Sequence, residues 1–544
     1  MRIARMAAVA LVVALVAGCS KEKAGPGGVG AAGAPAVGDA IVEGSIGDVS
    51  GFLTAVTSDS ASHGAANYVF NGLVRYDKDL KLEGELAKSW EVTPDGKRIT
   101  FHLREGVRWH DGEPFTSDDV LFTYRRLIDP NTPTAYAEDF RQVTRASTPD
   151  PHTFVVEYGK PFAPALASWG MHVLPKHLLE KYPDISRSPL NKKPVGTGPF
   201  RFVEWKTGEK TVFEANPDYF EGRPYLSRVI TRVIPDPATM FLELKSGGID
   251  MMGLTPVQYT RQTETEEFRK SFNKYRYLSF GYTYLGFRLS HPFFSDRRVR
   301  QAFAHAINKK DIIDGVLFGL GQEATGPYKP GTWVHNPDVR RYPFDPGKAR
   351  ALLAEAGWAD ADGDGVLEKE GRTFAFTVLT NAGNESRAKT AAIIQQNLSA
   401  VGVRMEIRTL EWAAFINEFV DKRKFDAVIL GWSITQDPDQ YDIWSSQKTG
   451  PKELNFVGFR NAEVDRLLEE GRRTFDLEGR KKAYFRIQEI LAEEQPYVFL
   501  YYPDALPVVQ KRIHGIEPAP AGITYNFIKW YVPKSQQRYT TFQK

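Results

Sequence analysis

Asp360, Asp362 and Asp364 alternate through the stretch 360–365, with Gly365 at its sixth position, as at the start of a loop that wraps a calcium ion. The twelfth position is Gly371 instead of a bidentate glutamate, and Glu368 and Glu370 stand out of register. A tight Asp/Gly turn between a helix and a strand explains the stretch equally well. Beyond this calcium candidate no cofactor pattern is present. Catalytic patterns are also sparse: the ten histidines form no His-Glu-x-x-His pair, and neither a Gly-x-Ser-x-Gly elbow nor a phosphate-cradling glycine loop occurs. Any pairing among 67 acidic side chains is arbitrary. Because acid pairs need no fixed spacing, a binding protein, a receptor or folding helper, and a hydrolase all remain as function classes at this point.

The single cysteine has a more defined chemical fate. Arg2 and Arg5, an apolar run from Ala7 to Ala17 and small residues at 17 and 18 read as a secretory signal over 1–18, too short to span a bilayer as a mature helix. Val16-Ala17-Gly18-Cys19 is similar to the lipobox of bacterial lipoproteins, whose cysteine takes a diacylglyceryl group and becomes the mature N-terminus. The expected location is the periplasm or the outer face of the envelope, with Cys19 as membrane anchor. Residues 19–39 are mostly Gly, Ala and Pro and read as a flexible tether. With Cys19 acylated the body holds no disulfide and depends on core burial. A chain of 544 residues, 42% hydrophobic and 12% aromatic, can supply it in two or three domains. The net charge of +3 falls to +1 once Arg2 and Arg5 leave, which argues against nucleic acid as partner.

The elements that would position a site are legible in places. Residues 40–45 read as a first strand and 66–73 as a helix. Trp90, Val92, the turn Pro94-Asp95-Gly96, then Ile99, Phe101 and Leu103 read as a hairpin, and Thr116 with Asp119 opens a helix through Val120, Leu121 and Tyr124. Strand 200–205 follows a glycine-rich break at 196–198, and 298–307 reads as a helix. Asp345-Pro346 starts a helix that ends at Gly357, a further helix covers 393–398, and strands 404–407 and 425–430 flank Trp412. Strands alternating with helices predict an α/β fold.

Four blocks in this order, 90–124, GTGPF at 196–200 with NPDYF at 216–220, DRRVRQAFAHAIN at 296–308, and GWSITQDPDQY at 431–441, resemble family 5 of the extracellular solute-binding proteins, over about residues 41–516. The resemblance implies an α/β, two-lobed periplasmic-binding-protein-like clamp of class II with an additional inserted domain. Lobe I would comprise 40–75, 197–279 and 506–544, the inserted domain 76–196, and lobe II 280–505. It implies a monomer that closes over a peptide or similar solute near the crossovers around 280 and 506, then delivers it to an ABC permease and ATPase complex.

A tolerant peptide site needs aromatic walls, which bury area with few rotamers to freeze. By resemblance Tyr284, Trp412 and Trp432 match cleft positions and Ser58 and Ser60 a loop that touches ligand backbone; Tyr282 lies beside them, and His63 is near that loop. Most of the thirty-four Phe, twenty-three Tyr and ten Trp must nevertheless be core. Family members hold the ligand α-ammonium with an aspartate four residues after the glycine of the Gly-Trp pair; here that position is Thr435, with Asp437 as a substitute or else a turn residue before Pro438. Ser433 and Gly281 stand where some members carry a cysteine pair.

Overall fold

The computed structural model describes residues 33–434 and 436–539. Cys19, the signal, most of the tether and Thr435 therefore lie outside the described residues.

Two large sheets form the body. In the first the strand order is Phe272–Lys274, Pro507–Gln510, Met251–Gly253, Ala40–Ser45, Arg228–Val233, Lys210–Ala215 and Phe200–Lys206. Ala40–Ser45 runs parallel to Arg228–Val233, from Ala40 opposite Arg228 to Ser45 opposite Val233. The second orders Tyr277–Leu278, Tyr497–Ala505, Gly281–Phe287, Ala427–Ser433, Ala375–Asn381 and Arg404–Leu410, with Gly321–Glu323 added beside Tyr497–Ala505. The chain leaves the first sheet after Lys274, enters the second at Tyr277, and returns at Leu506. Both crossovers are tied together: Tyr275 N donates to Pro507 O at 2.9 Å, Ser279 N to Pro503 O at 3.1 Å, and Arg276 pairs with Asp504 at 2.6 Å.

A separate four-stranded antiparallel sheet, ordered Ala87–Val92, Arg98–Leu103, Thr153–Tyr158 and Val143–Asp150, is inserted into the first half. Its hairpin pairs Trp90 with Phe101, and Phe101 with Phe154 on the next strand. Trp169 fills the face behind, 4.9 Å from Phe154 and 5.2 Å from Phe140 between ring centroids, with its Nε1 donating to Tyr158 Oη at 3.0 Å. Helix Ser117–Ile128 begins where Asp119 accepts from Thr116 N at 3.0 Å, and the same buried carboxylate holds Lys176 N.

Three expected elements change. The helix expected over 66–73 lies earlier, at Ser60–Ala66, capped by Asp59. Tyr68 O and Val69 O instead accept from Phe200 N and Gly198 N, which takes 67–73 out of helical geometry. Only glycine fits this close approach, since a Cβ on Gly196 or Gly198 would meet Val69 backbone atoms at 1.9 and 2.5 Å. The helix expected at 393–398 starts at Glu385, where Asn384 accepts from Arg387 N; its first two turns are polar and carry no apolar stripe. Finally, the strand expected at 425–430 runs over Ala427–Ser433 and carries Trp432 out to the cleft.

Candidate functional site

A cavity of about 860 Å³ opens where the two sheets and the inserted domain meet. From the first lobe it is walled by Ser58, Asp59, Ser60, His63 and Asn67, from the insert by Tyr136, Asp139 and His172, and from the second lobe by Trp412, Asp421, Trp432 and their neighbours. The walls touch: Trp412 Nε1 donates to Asp59 Oδ1 at 3.3 Å, and Ala163 N donates to Arg472 O at 2.6 Å. A second cavity of about 1300 Å³ adjoins the first through Ser60, Asn67, Tyr76, His172 and Gln436, which line both. Glu43 faces this second space; burial pushes its carboxyl up to about 7, against the Tyr68 hydroxyl that donates to it at 3.0 Å.

Strand periodicity decides which aromatics reach the cavity. On Gly281–Phe287 alternate side chains face opposite ways, so Gly281 and Thr283 point to the cavity while Tyr282 and Tyr284 point to the core of the second lobe. Tyr284, expected in the cleft, is fully buried and stacks on Tyr497 with centroids 3.9 Å apart; it does not line the cavity. Tyr282 borders the wall but is only 1% exposed. Trp432 does line the cavity, half-buried, with its Nε1 donating to Tyr497 Oη at 3.3 Å and its ring stacked on Phe456. Ser433 and Gly281, opposite each other in the ladder, line it as well.

The cavity's carboxylates fall into two groups. Asp437, the expected substitute for the ammonium anchor, lines the cavity, but Arg480 Nη2 donates to both its oxygens at 3.0 and 3.2 Å, so its charge is already matched. Asp439 and Asp139 share Arg472, and Asp442 and Glu453 share Lys448 with Glu138. Asp59 and Asp421 differ. Asp59 accepts from Ser50 Oγ, Ser62 N and Trp412 Nε1, with no cation within salt-bridge distance among the described residues. The Asp421 carboxylate has neither a hydrogen bond nor an ion pair among them; burial pushes it up to about 6, Lys452 counters and Asp59 adds to the rise. Sequence reasoning missed both: Asp59 sits unremarked between the two serines, and Asp421 opens the run Asp-Lys-Arg-Lys, which reads as a surface turn.

The histidines are engaged internally. His63 Nε2 lies 2.8 Å from Thr57 O, and His172 meets Thr54 Oγ1 through Nδ1 and Asn67 Oδ1 through Nε2, with burial drawing its pKa down to about 3. On the loop at 360–368, Asp360, Asp362 and Glu368 bring carboxylate oxygens within 4.8 Å of one another, while Asp364 turns to Val366 N. Each of the three accepts loop N–H groups, and none lines the cavity.

A discontinuous two-lobed clamp with a large internal cavity at its crossovers is the architecture of an extracytoplasmic solute-binding protein. The sequence signature of the bacterial extracellular solute-binding proteins, family 5 (middle), matches residues 81–453, and the chain belongs to this family. It is 34% identical to the oligopeptide-binding protein AppA of Bacillus subtilis, covering 97% of this chain and 98% of that protein. The structure of that AppA with a nonapeptide superposes with a TM-score of 0.87 at 33% identity, over 92% of this chain and 100% of the other. NikZ of Campylobacter jejuni with Ni(L-His) gives 0.82 at 30% identity, over 91% and 99%. DppA of Helicobacter pylori with the peptide STSA gives 0.82 at 28% identity, over 92% and 99%. No helix among the described residues is long and apolar enough to cross a membrane.

Proposed function

We propose that the protein captures peptides in the inter-lobe cavity and delivers them to an ABC permease and its ATPase, working outside the cytoplasm on a tether that begins at a lipidated Cys19. The observation that carries the reading is the combination of Trp412 and Trp432 walls with two carboxylates, Asp59 and Asp421, neither of which has a cation within salt-bridge distance among the described residues. An incoming α-ammonium supplies the missing positive charge, and the aromatic walls accept varied side chains. In this reading Asp421 and Asp59 do the work expected of the residue at 435, while Asp437 holds Arg480. The adjoining second cavity gives room for a ligand of several residues. A metal chelate of the kind named for NikZ is less favoured here, because both His172 nitrogens and His63 Nε2 already have partners.

Mass spectrometry of ligand released from the purified protein tests the reading directly. Peptides in the released pool, and a thermal shift on adding them back, support it; a ligand at 100 times its Kd stabilises by about 2.7 kcal/mol. A pool free of peptides refutes it. For the anchor, loss of protein-bound fatty-acid label and of membrane association in Cys19→Ala is the expected result.

A further inference from the structure

Three adjacent strands of the first sheet carry a row of polar side chains into the second cavity. Glu43 pairs with Thr231 across one ladder and Thr231 with Thr211 across the next, so all three stand on one face of the sheet, and all three line that space. The Glu43 carboxylate accepts from the Tyr68 hydroxyl at 3.0 and 3.2 Å and from Thr231 Oγ1 at 3.4 Å, with no cation within salt-bridge distance among the described residues. By contrast Glu83, Glu85 and Glu221, on the same cavity, all face Arg75, at 2.8, 3.8 and 2.8 Å. Burial raises the Glu43 carboxyl, and no nearby positive charge offsets the rise. Thr211 is 3% exposed, and its hydroxyl has no hydrogen-bond partner among the described residues. An unpaired buried hydroxyl is costly, and this one lies two strands from an unmatched carboxylate on the wall of a large cavity. Both groups lack the same thing, a donor with positive charge. Ser60, Asn67, Tyr76, His172 and Gln436 line this space and the inter-lobe cavity alike, so a side chain of a solute held in one can enter the other.

We propose that the second cavity is a subsite for a cationic group of the solute, an ammonium or guanidinium seated on Glu43 with the Thr211 hydroxyl as a further acceptor, so that the protein favours basic solutes. An ammonium brings three donors and a guanidinium five, with no acceptor on either, which suits a row of oxygens with lone pairs to spare. The inference rests on the solute-binding reading of the adjoining cavity, and its peptide form on the proposal above.

The test uses the full exported chain at pH 8, where the Glu43 carboxyl is ionised, and Ala/Ser hexapeptides in which each position after the first is in turn Lys or the uncharged norleucine. At one position or more the wild type binds the Lys peptide at least about tenfold tighter than its norleucine twin. Glu43→Gln binds that pair within about twofold, and Thr211→Val cuts the preference by about threefold with the norleucine peptide's Kd unchanged. A wild type with no such position overturns the proposal, as does a preference that survives Glu43→Gln. Should Glu43→Gln fail to fold, Thr211→Val decides: a reduced preference supports the subsite and an unchanged one overturns it. If none of the hexapeptides binds, the peptide reading fails, and n-butylammonium tests the subsite by itself. A rise in Tm of the wild type that is diminished in the two variants supports the subsite, with a free organic cation as its ligand. No rise in the wild type, or an equal rise in the variants, overturns it.

Discussion

Arg472 ties the second lobe to the inserted domain, and its removal is expected to loosen closure in a way that depends on pH. The residue is 2% exposed; its Nε holds Asp439 at 2.7 Å within its own lobe and its Nη2 holds Asp139 on the insert, with Tyr441 stacked at 4.1 Å. Lys448 forms a second tie to Glu138, so five carboxylates (Glu138, Asp139, Asp439, Asp442 and Glu453) gather around two cations. Burial pushes Asp139 up to about 7, against the pull of Arg472 and helped by Asp439 and Asp442; Asp442 rises to about 6 for the same leading reason. Removing one member of a buried pair costs about 3–5 kcal/mol. Only the Asp139 share crosses between lobes, so Arg472→Met should cost closure about 2 kcal/mol, or roughly a 30-fold weaker Kd. In an open clamp Asp139 faces water and returns towards 3.8, so closing raises its pKa and takes up a proton. Its contribution to closure is complete below the open-state value and is lost as pH rises through about 7. Wild-type affinity for a free-acid tetrapeptide, measured by calorimetry, should therefore weaken from pH 5.5 to pH 8. The loss in Arg472→Met should be larger at pH 8, where Asp139 needs the cation, than at pH 5.5. Asp139→Asn, which leaves the second lobe's own pair intact, should flatten the profile. A Kd for Arg472→Met within twofold of wild type at both pH values, with Tm unchanged, would refute the reasoning.

Trp432→Ala should weaken peptide binding by about tenfold with little change in Tm, because a half-buried cavity wall is lost and no core ring; an unchanged Kd would remove Trp432 from the site. Asp421→Asn should erase the preference for free over N-acetylated peptides, a charge-assisted contact of about 1.5–3 kcal/mol, and a preference that survives would place the ammonium elsewhere. Asp437→Asn should instead lower stability by about 3 kcal/mol by leaving Arg480 buried and unpaired, read by denaturant unfolding with amine selectivity intact. Gly198→Ala should destabilise by about 2 kcal/mol or more through overpacking against the Val69 backbone, checked by the same unfolding transition.

Local signals with a short reach were the legible ones. The turn Pro94-Asp95-Gly96, the Thr116/Asp119 cap and Asp345 before Pro346 each act within a few residues, and the hairpin, helix and cap they predict are present. The helix expected at 66–73 failed because the deciding partner, the backbone at 198–200, is more than a hundred residues away. The site shows the same division. Trp412, Trp432 and Tyr284 were all placed in the cleft by resemblance; the two tryptophans do line the cavity, while Tyr284 lies on the other face of its strand. Asp421 carries no local mark, since what distinguishes it is a carboxylate without an ion pair or hydrogen bond among the described residues, and partners are assigned only when distant segments meet.

The paired crossovers at 275–276 and 506 have the arrangement of a flexure. Two segments side by side, cross-tied by Tyr275–Pro507, Ser279–Pro503 and Arg276–Asp504, would bend together more readily than slide past each other, since sliding breaks the ties. Solutes of different bulk would then change the gape of the clamp without changing which residues meet across it, and Trp412 would return to Asp59 after every opening. Tolerance of cargo size and constancy of the closed face would thus come from one mechanical element, placed outside the cavity and independent of what it holds.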